Sequence, residues 1–275
     1  RMMFMPAIAG TSHTAGPFYS IIRTKKMERI KRIKEKLIEL KQLDKAFSIF
    51  GSERHKYRLN NTLSLNEISQ IESTNNIILS EEYKQILNLI GNGDAGCGYG
   101  LEKLNIDKIN PPYIGTDKLL RNCKDPSKIE LDMINIDELS GYIKIFDYGC
   151  GMEQCLIVNG EEIGGLIFFD CDGRFEKIEN KTILDIYEDW LDESLDKLKR
   201  IQSKLEVMTL NEVIDSEREI GNYFINSHIL SIIGAKEMKY GFYDTRQENH
   251  LAREYDKWKN RDRKPLERLL NYIRK

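Results

Sequence analysis

Apolar positions first recur at helical spacing from Met27, where Ile30, Ile33, Leu37, Leu40 and Leu43 align while Lys and Glu fill the opposite side. That is the pattern of a helix laid on a core. Ser64 and Glu67 stand three apart around Leu65, ahead of Ile68 and Ile71, a capping box that opens a second helix. Ser80 is placed to N-cap a third, in which Tyr83, Ile86, Leu87 and Ile90 share a face. Pro111, Pro112 and Pro126 then punctuate a connection without period. Four short apolar runs follow, Tyr142 to Asp147, Cys155 to Val158, Leu166 to Phe169 and Phe175 to Ile178, with Asn159-Gly160 and Asp172-Gly173 as turn signals. They predict an antiparallel meander. Thr182 with Asp185 caps a long helix whose inner face carries Tyr187, Trp190, Leu191, Leu195 and Leu198.

Helices on both sides of a run of hairpins predict an α+β fold, an antiparallel sheet packed with flanking helices. After Leu205 the pattern changes. Thr209 and Glu212 form another capping box, and Val213, Ile220, Phe224, Ile229, Leu230, Ile232 and Ile233 predict further helix before Gly234. The last segment is expected to be two helices broken near Pro265. Residues 1–26 hold no acidic residue and no period, and are expected to be a non-native or disordered leader. Ala7 and Ala9 imitate a signal-cleavage site, but Pro6 interrupts an apolar core that is too short. The expected division is therefore a leader over 1–26, a domain over 27–204 and a helical extension over 205–275.

Gly91, Gly93 and Gly96 stand in a G-x-G-x-x-G array. A dinucleotide cradle needs a strand before that array and a helix after it. Here a helix precedes it, so the expectation is a helix-terminating Gly91 in the left-handed region and a tight irregular loop from Gly93 to Gly100. No cofactor is expected.

Composition is that of a charged globular protein, 40% apolar and 31% charged, and no apolar run approaches the roughly 18 residues of a membrane-spanning helix. Five cysteines, irregularly spaced, point to reduced thiols and a cytoplasmic setting. The net charge of −2 hides an asymmetry: residues 129–196 hold 18 acids against 4 bases, residues 246–275 hold 10 bases against 5 acids, and the first helix is lysine-rich. Such runs are either solvated faces or surfaces complementary to a partner.

Candidate chemistry is sparse. Cys150, Cys155 and Cys171 lie close in the strand region, but no second pair or histidine completes a zinc pattern. Asp170 and Asp172 begin like a calcium loop, yet Arg174 and Phe175 follow where ligands belong. His55 is the single possible centre for acid–base or nucleophilic work within 27–204, and beside Tyr57 it is expected to be structural. Tyr187 and Trp190 are expected to pack first and to serve as contact residues second. These readings point to a chain that is not an enzyme and holds no metal.

Four blocks carry a resemblance. They are Phe50-Gly51 followed by His55 and Tyr57; Leu79 to Leu104, with its acidic pair, tyrosine, apolar helix, G-N-G and Y-G-L; Asp147-Tyr148-Gly149-Cys150-Gly151 with Leu156 to Gly160 and Gly164 to Asp170; and Ile183 to Leu195. In order and spacing the chain resembles the SUKH superfamily, the branch of fungal Smi/Knr cell-wall-assembly regulators and bacterial toxin-immunity proteins. The resemblance covers about Lys31 to Lys199. Ser80, Asp94 and Cys97 depart from the proline, glycine and proline often found there, and nothing after Leu205 is covered. It implies a non-enzymatic binding domain, an immunity protein whose partner is a cognate protein toxin, many toxins of that kind being nucleases. An acidic surface could occupy the phosphate-binding face of such a toxin. The expected contacts are Glu153, Glu161, Glu162, Asp170, Asp172, Glu188 and Asp189, with Tyr99 from the glycine-rich loop. A regulatory or scaffold protein of the same fold is the alternative. A nucleic-acid role for the basic tail ranks below both, because Tyr255, Trp258 and Tyr272 are mixed with acids and core positions.

Overall fold

The computed structural model describes residues 17–104, 141–159, 162–171, 175–235 and 245–261. Its fold is α+β. Helix α1 (Pro17–Leu43) is followed by a short α2 (Ser52–His55), α3 (Leu65–Asn75) and α4 (Glu81–Gln85), which continues as a π-helical turn over Ile86–Ile90. Strands β1 (Tyr142–Gly149), β2 (Met152–Ile157), β3 (Leu166–Phe169) and β4 (Phe175–Ile178) form one antiparallel sheet in sequence order. Helices α5 (Ile183–Val207), α6 (Leu210–Glu219), α7 (Ile225–Ile233) and α8 (Thr245–Lys259) complete the described elements.

All three expected capping boxes form. Ser64, Thr182 and Thr209 each accept the N3 backbone N–H, and Glu67, Asp185 and Glu212 each return a carboxylate to the cap's own N–H. Helix α1 begins at Pro17 rather than Met27. Ile30, Ile33, Leu37 and Leu40 lie buried beside Leu191, Leu195 and Leu198 in one cluster with Tyr83, Phe146 and Leu156.

The lysine-rich first helix and the acidic closing helix prove to be partners of each other. Arg29 pairs with Asp185 and Glu188, Lys36 with Glu188 and Asp192, and Glu39 with Lys199. Residue numbers rise together along both helices, so α1 and α5 run parallel, and three acids of the 129–196 run, Asp185, Glu188 and Asp192, are answered by cations of α1.

The glycine-rich segment differs from expectation in how its helix ends. Gly91 has φ 170°, which is extended rather than left-handed, and its N–H closes the π turn on Ile86 O at 2.9 Å. A glycine is needed there because a Cβ would stand 2.8 Å from Asn60 O. The chain then lies along the edge of β1, where Tyr99 N–H donates to Asp147 O and Glu102 N–H to Ile145 O. Gly98 has φ +58°, and a Cβ on it would stand 2.3 Å from Asp147 O. Gly51 meets the same bend from the other side, since its Cβ would fall 1.7 Å from Gly98 O. The two glycines therefore let the loop, the β1 edge and the turn before α2 come into backbone contact.

The boundary expected at 204 falls inside helix α5, which runs unbroken to Val207. Val213, Ile225, Ile229, Leu230, Leu251 and Tyr255 belong to the same buried cluster as α1 and the sheet. Ile220 and Phe224 fall between α6 and α7, where their side chains are 62% and 71% exposed instead of buried. The break near Pro265 and the proline connection lie outside the described residues, as does most of the leader.

Candidate partner-binding face

Asp44 anchors the turn that begins this face. It follows α1, is fully buried, and accepts six hydrogen bonds: from the N–H groups of Ser48 and Ile49 and the hydroxyls of Ser48, Ser52, Tyr57 and Ser231. These donors hold its carboxyl below the ordinary aspartate range against the opposing effect of burial. The turn projects Phe50 outward, 57% exposed, against Tyr99 at 5.2 Å between ring centroids. The Arg54 guanidinium lies 5.5 Å from the Tyr99 centroid.

Beside Phe50 opens a cleft of about 470 Å³. One wall is Ile49, Phe50 and the Cys97-Gly98 step of the glycine-rich loop, with Tyr148 from the end of β1. Helix α5 lines it with Ile186, Trp190 and Ser194, and the start of α7 adds Phe224, the residue before the helix, and His228 within it. Trp190 is fixed edge-on against both Tyr187 (5.6 Å) and His55 (5.9 Å). Tyr187 is itself locked, fully buried with its hydroxyl donating to Ala95 O at 2.9 Å. The rim charges are Lys181, Asp189, Glu193 and Lys197.

The histidines and the thiol at this face are buried. His55 is 1% exposed, its Nδ1 accepts the Tyr57 N–H at 3.1 Å, and burial lowers its pKa to about 4, which keeps it neutral at pH 7. Burial pushes the Cys97 thiol up, away from the reactive thiolate. His228 is likewise lowered to about 4 by burial and by Lys197. Cys155 is buried while Cys150 and Cys171 are exposed, and among the described residues no group of three or more His, Cys, Asp or Glu is placed to hold a metal.

The expected acidic contacts do not gather into one surface. Glu188 is a correction. It is only 8% exposed and is tied to Arg29, Arg32 and Lys36, because its position on α5 faces α1 rather than solvent. Those three cations draw its pKa down to about 2 against the effect of burial. Glu153 pairs with Lys144 at 3.0 Å and Glu162 with Lys177 at 2.8 Å, both on the sheet side. Asp170 is half-buried, and Glu161 and Asp172 lie outside the described residues. Asp189 does border the cleft, paired with Lys181 at 2.8 Å, and Tyr99 stands at its edge on Phe50.

Sequence reasoning missed Phe224, His228, Glu193 and Lys197 as parts of one face, and Asp44 as its anchor. An available signal was His228 itself, a polar residue inside the apolar run Ile225 to Ile233. No helix among the described residues is long and apolar enough to cross a membrane. Compared with protein-family models, with curated proteins and with solved structures, the chain matches none of them.

Proposed function

We propose that this chain is a non-enzymatic protein-binding domain of the SUKH kind, an immunity protein that neutralises a cognate protein toxin by direct association. The observation that carries the reading is the convergence on one cleft of residues from all four blocks behind the family resemblance. Phe50 comes from the first, Cys97 and Gly98 from the second, Tyr148 from the third, and Ile186 and Trp190 from the fourth. Exposed aromatic side chains held on rigid elements, with an arginine alongside, have the composition of an interface hot spot. Neutral buried histidine and protonated thiol at the same place favour binding over chemistry.

The mode of binding is revised by the ion pairs. A broad acidic decoy of phosphate would need free carboxylates, yet Asp185, Glu188 and Asp192 are engaged by α1. Docking through the aromatic cleft, with the toxin's active surface occluded by the bulk of the domain, fits the face better. The test is coexpression with the toxic module of a secreted protein encoded in the neighbouring reading frame. Restored growth and co-purification support the proposal; equal killing with and without this chain removes it for that pair.

A further inference from the structure

The backbone around the cleft limits the form that a docking segment can take. The strand that reaches the cleft is β1, through Tyr148, and its outer edge is already taken by the glycine-rich loop: Tyr99 N–H donates to Asp147 O at 2.6 Å and Glu102 N–H to Ile145 O at 2.8 Å. The N–H groups of Ser48 and Ile49 are likewise spent on Asp44. An extended segment entering here finds no free ladder on that edge, so its N–H and C=O groups would lose water against Phe50, Trp190 and Phe224 without new partners. A helix satisfies its own backbone and offers only side chains. The charges along α5 fit the same occupant. Asp189, Glu193 and Lys197 follow at four-residue spacing along the cleft. Asp189 is held by Lys181 at 2.8 Å, whereas Glu193 and Lys197 have no ion pair among the described residues, not even with each other. They present one anion and one cation a helical turn apart, about 6 Å, and a partner complementary to both carries the opposite charges at that separation.

We propose that the cleft receives an amphipathic helix of the protein partner, with an apolar stripe against Phe50, Trp190 and Phe224, a lysine or arginine facing Glu193, and an aspartate or glutamate facing Lys197. This rests on the protein-binding reading above. The partner's two charges stand three or four residues apart, because those positions share a face of a helix. On an extended segment they would stand two apart. The fit is specific in sign: a helix bearing its charges in the reverse order along α5 brings an acid to Glu193 and a base to Lys197.

The test uses the full chain and, as partner, the toxic module encoded in the neighbouring reading frame. Glu193→Lys and Lys197→Glu, each checked for folding by circular dichroism, are expected to weaken the complex roughly tenfold, since each turns an attraction across the rim into a repulsion. Zero-length carbodiimide coupling of the natural complex, read by mass spectrometry, is expected to join Lys197 to an acid on a helix of the module. Reversing that acid to lysine should restore binding to Lys197→Glu. Unchanged affinity in both reversals, or coupling of Lys197 to a strand or loop of the module, overturns the proposal and leaves the toxin-neutralising reading standing, because the natural complex has formed. No complex between the natural chain and the module removes both.

Discussion

Replacing Asp44 by Asn should unfold this protein far more readily than an isosteric change of one atom implies. Oδ1 accepts the Ser48 N–H at 2.7 Å and Oδ2 accepts the Ile49 N–H at 3.1 Å. Whichever way an amide is turned, its NH2 faces a main-chain donor that cannot rotate away. One buried donor left unpaired costs roughly 1–3 kcal/mol, and the hydroxyls of Tyr57 and Ser231 lose a charged acceptor whose bonds are worth about 1.5–3 kcal/mol each. Partial rescue by rotating hydroxyls leaves a net cost of about 3 kcal/mol, a large share of the 5–15 kcal/mol typical of a folded domain. Because Ser231 belongs to α7 and Asp44 directly follows α1, the loss should loosen α7 and the turn carrying Phe50 together. Urea unfolding followed by far-ultraviolet circular dichroism measures it, as a lower midpoint at unchanged slope. Ser231→Ala should cost about 1–2 kcal/mol alone, since it also orphans the Ala46 N–H, and much less on top of Asp44→Asn. A cost below about 1 kcal/mol for Asp44→Asn, or strict additivity of the two changes, would refute this reasoning.

Stability should also fall in acid. Glu188 and Glu217 have pKa values lowered to about 2 from 4.5 by their cations and hydrogen bonds, so their contribution is complete above pH 4.5 and is lost as pH drops from about 4.5 to about 2. Linkage puts this at up to about 3 kcal/mol each, less for Glu188 because Arg32 is half exposed; Glu188→Gln and Glu217→Gln should each flatten the urea midpoint against pH. Glu217 is fully buried and bonded by Arg200, Lys204 and Asn222, so Glu217→Ala should destabilise by about 3–5 kcal/mol and release α6 from α5, read by hydrogen exchange. Gly98→Ala should lower the melting temperature by several degrees, since the backbone is left-handed and a Cβ would meet Asp147 O; a silent substitution would mean that the loop does not sit against β1. In the native state a thiol reagent should label Cys150 and Cys171 and spare Cys97 and Cys155, as mapped by mass spectrometry.

Local signals carried most of the fold. The three capping boxes and the short apolar strand runs are short-range patterns, so the starts of α3, α5 and α6 and the order of the meander are legible in the sequence, although β2 starts at Met152 rather than Cys155 and α6 stops at Glu219, before Ile220 and Phe224. The end of the third helix was misread because a π turn is set by tertiary contact: Gly91 is required by the approach of Asn60, far from it in sequence. Charge was the weakest guide. Acids summed along residues 129–196 look like a surface for a partner, but the helix that answers Asp185, Glu188 and Asp192 lies some 150 residues earlier. Asp44 and His228 escaped for the same reason, one being an ordinary helix-end residue and the other an ordinary helix residue until the fold places them beside Ser231 and in the cleft.

One coexpression experiment addresses the proposed neutralisation of a protein toxin through the aromatic cleft. The neighbouring toxic module is expressed with the natural chain, with no chain, and with Phe50→Ala/Trp190→Ala shown to be folded by circular dichroism. Growth and a co-purifying complex are expected with the natural chain, and arrest with the double variant as with no chain. Equal growth with the natural chain and the folded double variant would contradict the cleft, and equal arrest in all three would contradict neutralisation itself.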